Sequence, residues 1–290
     1  MRIGAFEVGG TKMVCAVGNE KGEIFDKIMI PTTEPEKTIS KVIAYFKGQQ
    51  LEALGIGSFG PVCLDRNNDM YGYITSTPKV SWRNYPIVDT MKKALDCSVG
   101  FDTDVNASVL GEVTFGCGKG LDHVCYFTVG TGIGLGIWSG GKLLHGNLHP
   151  EIGHIKVRRH PFDTYQGHCP YHDDCLEGLA AGPAIEERWG KPAKELTENP
   201  EVWEMEAYYL AQAICNCILI LAPQKIILGG GVMHQESLFP EIRKYVKKEL
   251  NGYLSTKELS DIDNYIVKYS LQDNQGILGC LELGRREYLK

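Results

Sequence analysis

An α/β protein of two related lobes is predicted by three features of this chain. Short apolar segments with strand character alternate with segments whose apolar residues recur every three or four positions. Two β-hairpins carry similar turns, Gly9-Gly10-Thr11 early in the chain and Gly130-Thr131-Gly132 later, which points to duplicated lobes. The 290 residues match the length of about two domains of roughly 100–200 residues each.

Residues 3–8 read as a short apolar strand that reverses at the glycine turn and returns as Met13, Val14, Cys15, Ala16 and Val17. Residues 23–30 make a third strand, closed by Pro31. Ile39, Val42, Ile43 and Phe46 have helical spacing over residues 35–46. Residues 53–57 form a strand entering a turn at Gly60-Pro61. A helix over 86–95 places Ile87, Met91 and Leu95 on one face, 98–101 is a strand, and Asp104 opens the next helix. The second hairpin is 124–129 and 133–138. Residues 145–177 are loop-like and rich in His, Cys, Asp and Gly. A long helix over 201–221, apolar almost throughout its second half, is expected to be buried between layers. A strand at 225–228 then enters Gly229-Gly230-Gly231, and helices at 238–250 and 276–288 complete the chain. The lobes are expected as residues 1–107 with the terminal helix at about 275–290, and residues 108–274 with a metal knuckle at 154–177.

Composition excludes several classes. Thirty basic against 36 acidic residues leave a net charge of −6, so no nucleic-acid partner is expected. With 43% apolar and 23% charged residues the chain is neither disordered nor collagen-like. Its longest apolar stretch, near 213–222, is broken by Asn216 and falls short of the roughly 18 residues of a membrane span. Glu7 cuts short any apolar signal core. A cytoplasmic protein without a membrane partner is expected, its ten cysteines being thiols or metal ligands.

The glycine turns carry the first chemistry. Each of the three follows an apolar strand, and glycine lets backbone N–H groups approach a phosphate closely. One such turn is an ordinary hairpin connection; three in one chain, two with threonine, point to phosphate binding. None matches the P-loop pattern, and Gly132-Ile133-Gly134-Leu135-Gly136 lies in strand-like context, against a dinucleotide fold. Between a strand end and a helix start stands Asp102-Thr103-Asp104-Val105-Asn106. Asp102 suits the helix cap, which leaves Asp104 free to act as a base.

Cys169-Pro170-Tyr171-His172-Asp173-Asp174-Cys175 has soft ligands at C-x₂-H-x₂-C spacing and suggests zinc. A structural zinc takes four ligands, and His154, His160 and His168 are the candidates for the fourth; His168 is adjacent to Cys169, and neighbours rarely share an ion. Glu151 and Glu177 stand beside these positions, where carboxylates can accept hydrogen bonds from sugar hydroxyls. The remaining cysteines read as core.

Taken together these pieces resemble the ROK family of sugar kinases, within the two-lobed actin-like ATPase (ribonuclease H-like) fold. Glu7-Val8-Gly9-Gly10-Thr11-Lys12 is similar to its first phosphate motif and Thr128-Val129-Gly130-Thr131-Gly132-Ile133-Gly134 to its second. Thr103-Asp104-Val105-Asn106 resembles the catalytic segment, Glu151-Ile152-Gly153-His154 the E-x-G-H motif, and Cys175-Leu176-Glu177 the end of the zinc signature. Three departures look like the fructokinase branch: Glu7 for aspartate, Thr103 for asparagine, and His172 for cysteine in a knuckle one residue shorter.

The resemblance implies transfer of a phosphoryl group from ATP to a hexose, D-fructose O6 first, with mannose, glucose or an N-acyl hexosamine as alternatives and a non-catalytic sugar sensor as the rival class. It implies Asp104 as catalytic base and Gly60, Pro61, Thr103, Asp104, Glu151, His154 and Glu177 as sugar contacts. Nucleotide contacts would be Gly9, Gly10, Thr11, Lys12, Thr131, Gly132, Pro183, Gly229, Gly230, Gly231, Val232 and Met233. His154, Cys169, His172 and Cys175 would hold a structural Zn²⁺, and Mg²⁺ would bridge the phosphates near Glu7. A homodimer is the implied assembly.

Overall fold

A computed structural model describes all 290 residues. The chain forms two compact units. One comprises Met1–Gly120, Leu143–His149 and Ser270–Lys290; the other comprises Leu121–Lys142 and Pro150–Tyr269. The boundary expected after residue 107 falls inside a continuous helix, Asp104–Phe115, which stays whole in the first unit.

In the first unit β1 (Ile3–Val8), β2 (Lys12–Gly18), β3 (Ile24–Pro31), β4 (Ala53–Ser58) and β5 (Ser98–Thr103) make a sheet of order β3-β2-β1-β4-β5. β1 is antiparallel to β2 and parallel to β4, and β5 continues parallel to β4. Side chains alternate along β1. Phe6 and Val8 enter a core completed by Ile39, Val42 and Phe46 of α1 (Pro35–Phe46) and by Ile87 and Met91 of α2 (Ile87–Leu95).

Glu7 takes the opposite face, where α3 (Asp104–Phe115) and the C-terminal helix Gln275–Tyr288 pack. That helix approaches backbone to backbone. A Cβ at Gly55 would fall 1.7 Å from the Cys280 carbonyl oxygen, and one at Gly279 1.7 Å from that of Ala107. Only glycine allows such contact.

The second sheet and the helices around it comprise β6 (His123–Val129), β7 (Ile133–Ser139), β8 (Lys142–Leu143), α4 (Leu176–Ala180), α5 (Gly182–Trp189), α6 (Pro200–Leu221), β9 (Lys225–Gly229), α7 (Leu238–Leu250) and β10 (Ile266–Lys268). Its sheet order is β10-β9-β6-β7-β8. β6 is antiparallel to its hairpin partner β7 and parallel to β9, and β10 is parallel to β9. Strand for strand this repeats the first sheet, so the duplication suggested by two hairpins extends to five strands. Asn199 caps α6, its side chain accepting the Glu201 N–H at 3.2 Å, and Ala222 ends it in the left-handed region before Pro223. Burial along α6 runs to Ile218; Leu219 and Ile220 face solvent, so the last turn is not enclosed as its composition predicts.

Candidate active site

In the first unit the site grows from the junction of β5 with α3. Thr103, not Asp102, is the N-cap: its Oγ1 accepts the Asn106 N–H at 3.0 Å. Asp102 is 4% exposed and serves a different end. Its Oδ1 accepts from the Thr103 N–H at 2.8 Å and from Asn106 Nδ2 at 2.7 Å, and its Oδ2 lies 2.9 Å from His145 Nε2. The Thr103 hydroxyl thus accepts at the cap and keeps its own O–H as a donor. Asp104 is the first helical residue and half-buried; its Oδ1 accepts the Val105 N–H at 2.8 Å. Burial raises its carboxyl to about 6, against the pull of the backbone N–H groups of Val105 and Asp104.

Glu7, at the end of β1, is raised to about 7, first by burial and then by the charge of Asp104, with Lys27 and Lys12 opposing. Two carboxyls thus share one region of the unit. The first glycine turn follows directly. Thr32 fastens it, donating its hydroxyl to the Gly9 carbonyl at 2.7 Å and its N–H to that of Thr11 at 3.0 Å. Lys12 leads out of the turn into β2. Gly60-Pro61 is a cis peptide after β4. The next residue, Val62, donates its N–H to His149 Nε2 at 3.2 Å.

In the second unit Thr131 and Gly132 lie in the turn between β6 and β7. Glu177, in the first turn of α4, braces that turn: its Oε2 accepts the Ile133 N–H at 2.9 Å, and a Cβ at Gly132 would lie 2.6 Å from the same oxygen. One oxygen of this expected sugar ligand is thus engaged at the second phosphate turn. Gly182, followed by Pro183 at the start of α5, donates its N–H to the Gly130 carbonyl at 2.7 Å. Gly230 (φ +92°) follows β9, and a Cβ there would fall 2.4 Å from the Val129 carbonyl oxygen. Gly231 is adjacent to Gly130, while the side chains of Val232 and Met233 belong to the core.

His154, Cys169, His172 and Cys175 come together, their donor atoms all within 4.8 Å of one another. His154 Nδ1 lies 3.8 Å from Cys169 Sγ and 3.6 Å from Cys175 Sγ, and His172 Nδ1 lies 3.7 Å from Cys169 Sγ. These spacings suit one tetrahedral ion, for which bonds of about 2.3 Å to sulfur and about 2.0 Å to nitrogen put donors about 3.6 Å apart. The knuckle turn itself is held by paired hydrogen bonds between Cys169 and Asp173, with Asp173 at φ +50°. Glu151 is exposed, three residues before His154.

His145 and His149 were not singled out from sequence. They lie in the His-rich stretch, where metal ligation draws attention, yet both pack in the first unit: His145 on Asp102, His149 against Gly60 and Val62. No helix of the chain is long and apolar enough to cross a membrane.

The model of the ROK family matches residues 3–287. A Bacillus subtilis (strain 168) protein provisionally named a fructokinase is 57% identical over 285 residues, 98% of this chain and 95% of that one. The fructokinase of Pediococcus pentosaceus is 44% identical over 285 residues, 98% of each chain. Among solved structures, a ROK family glucokinase from Streptomyces griseus in complex with glucose and AMPPNP superposes with a TM-score of 0.80 at 25% identity, covering 99% of this chain and 100% of that one. The two sheets and their helices are those of the actin-like ATPase fold.

Proposed function

The chain belongs to the ROK family, and on that premise we propose that it transfers the γ-phosphoryl group of ATP to O6 of D-fructose. Likeness over nearly the whole chain to proteins named fructokinase carries the choice of sugar. The bond between the sugar O6 and the γ-phosphorus forms as the bond from that phosphorus to the β–γ bridging oxygen breaks. ADP leaves, and the hydroxyl proton passes to the Asp104 carboxylate. A base raised to about 6 is still ionised at neutral pH and is a stronger proton acceptor than an ordinary aspartate.

Phosphoryl transfer asks mainly for positioning and charge neutralisation. The N–H groups of Gly10-Thr11 and of Gly130-Thr131 would supply phosphate donors, and residues 229–233 with Pro183 would take the adenosine side. Glu7 fits a hard divalent cation, because such an ion relieves the repulsion it feels from Asp104, which stays free as the base. Glu7 would hold Mg²⁺, which supplies neutralisation of the phosphate oxygens.

The Cys₂His₂ set fits Zn²⁺. Four protein donors leave no open position, so the metal supplies a crosslink rather than chemistry. It would tie the Glu151–His154 segment to the start of α4, fixing Glu151 and Glu177 as sugar-binding and turn-bracing acids. We place the enzyme in the cytoplasm as a homodimer; sedimentation at twice 32.1 kDa tests the assembly.

The deciding experiment is a panel of fructose, mannose, glucose and N-acetylhexosamines with Mg-ATP and coupled detection of ADP. Fructose is expected to give the highest kcat/KM. ADP release that no sugar stimulates would overturn the kinase reading in favour of a sugar sensor.

A further inference from the structure

The first glycine turn carries a cation from a distant part of the chain. A Cβ built on Gly10 would lie 3.2 Å from Cε of Lys79. Cε bears the ammonium, so the charged end of Lys79 lies across the middle residue of the turn. Its side chain is exposed, and it makes no ion pair or side-chain hydrogen bond. An ammonium already matched to a carboxylate would have to give up that partner to bind an anion. Lys79 has none to give up.

Its position is built by buried neighbours. Trp82, 2% exposed, donates its backbone N–H to the Lys79 carbonyl at 2.9 Å and its indole N–H to the Thr33 carbonyl at 2.9 Å. Thr33 follows Thr32, the residue that fastens Gly9 and Thr11. Two consecutive threonines therefore bond the glycine turn on one side and the Lys79 segment on the other. Thr77, 1% exposed, accepts the Lys79 N–H at 3.3 Å through Oγ1, and its carbonyl accepts from Arg83 Nε at 2.7 Å. The backbone of Lys79 is thus registered to the turn, while its ammonium keeps a flexible stem.

We propose that Lys79 is a phosphate-binding residue of the transfer reaction, its ammonium neutralising the terminal phosphoryl group of the bound nucleoside triphosphate. The proposal rests on the kinase reading and adds to it a positive charge that acts with the turn amides. Lysine suits the task as a compact point charge that can follow a phosphoryl group as it moves between oxygens. Lys79 forms no covalent bond in the step.

The test compares the full-length parent with Lys79→Met and Lys79→Arg. Steady-state kinetics are run on the best hexose of the panel, and ATP, ADP and AMP binding is measured by calorimetry without sugar. Lys79→Met is expected to lose about 10²-fold in kcat, to keep the sugar KM within about twofold, and to weaken ATP at least tenfold more than AMP. Lys79→Arg is expected to recover most of the loss. A Lys79→Met enzyme with parental kcat and ATP affinity would overturn the proposal, and so would equal weakening of ATP and AMP, which marks a scaffold role. A parent inactive on every hexose would refute the kinase reading alone, because the nucleotide comparison still decides Lys79. If Lys79→Met does not fold, amine acetylation of the parent decides instead. ATP but not AMP is expected to protect Lys79 in peptide mass spectra, and equal protection by both overturns the assignment.

Discussion

Asp102 and His145 form an ion pair, Oδ2 to Nε2 at 2.9 Å, two residues before Asp104 on the strand that delivers it. The remaining Asp102 oxygen receives the Thr103 N–H and the Asn106 side chain, so the β5–α3 junction and the 143–149 segment share one carboxylate. The hydrogen bond to Asp102 raises the His145 pKa above its usual value, outweighing burial. A base raised on folding contributes stability in full below its unfolded pKa, about 6.5, and loses it as pH rises through the folded value. His145→Ala should therefore lower the thermal midpoint most at pH 6 and below, with the gap to the parent narrowing as pH rises. Parallel midpoint-against-pH curves for the two proteins would show that the pair contributes nothing.

Asp104 sets the acid limb of activity. With its carboxyl at about 6, kcat/KM should fall tenfold per pH unit well below that value and level off about one unit above it. Asp104→Asn is expected to lose turnover by about 10²–10⁴-fold while ATP binding persists. An Asp104→Asn enzyme with full activity would remove this side chain from the proton transfer.

The metal cage and the second glycine turn are joined through α4. Cys175 stands immediately before that helix, and Glu177, two residues on, braces the Ile133 N–H. About one zinc per chain is expected by atomic emission. Cys175→Ser should lose the metal and raise the sugar KM together, since the start of α4 is then untethered. Full zinc content with a raised KM would break that link.

Much of this was legible because it rests on local pattern. The two hairpins follow from apolar runs around glycine turns, α1 and α7 from three- and four-residue spacing, and three ligands of the cage from C-x₂-H-x₂-C; spacing left the fourth open among His154, His160 and His168, and the family resemblance named His154. What stayed hidden depends on three-dimensional neighbours. Asp102 and Thr103 are both good capping residues, and the choice between them was made by His145, which offers Asp102 a better partner. β10 is three residues long and exists because β9 presents it with an edge. Glu177 looks like any loop acid until the Ile133 amide is placed against it. Gly55 and Gly279 look like ordinary glycines until the C-terminal helix lies on them.

Glu206 on α6 is the most unusual group in the second unit's core. It is 1% exposed, and neither carboxyl oxygen has a hydrogen-bond partner. Arg188, the cation that acts on it, is already paired with Asp163 at 2.9 Å. Burial therefore raises its pKa well above the ordinary value, and the folded chain holds a proton there that the unfolded chain releases above about pH 4.3. Where the unfolded state binds fewer protons, stability falls as pH rises. An unpartnered buried polar group costs about 1–3 kcal/mol even when neutral. Glu206→Met, similar in volume and without charge, is expected to raise the thermal midpoint at pH 5, and to raise it further at pH 8 as the native acid becomes costlier to keep protonated. A Glu206→Met protein less stable than its parent at pH 8 would show that the carboxyl stabilises this core.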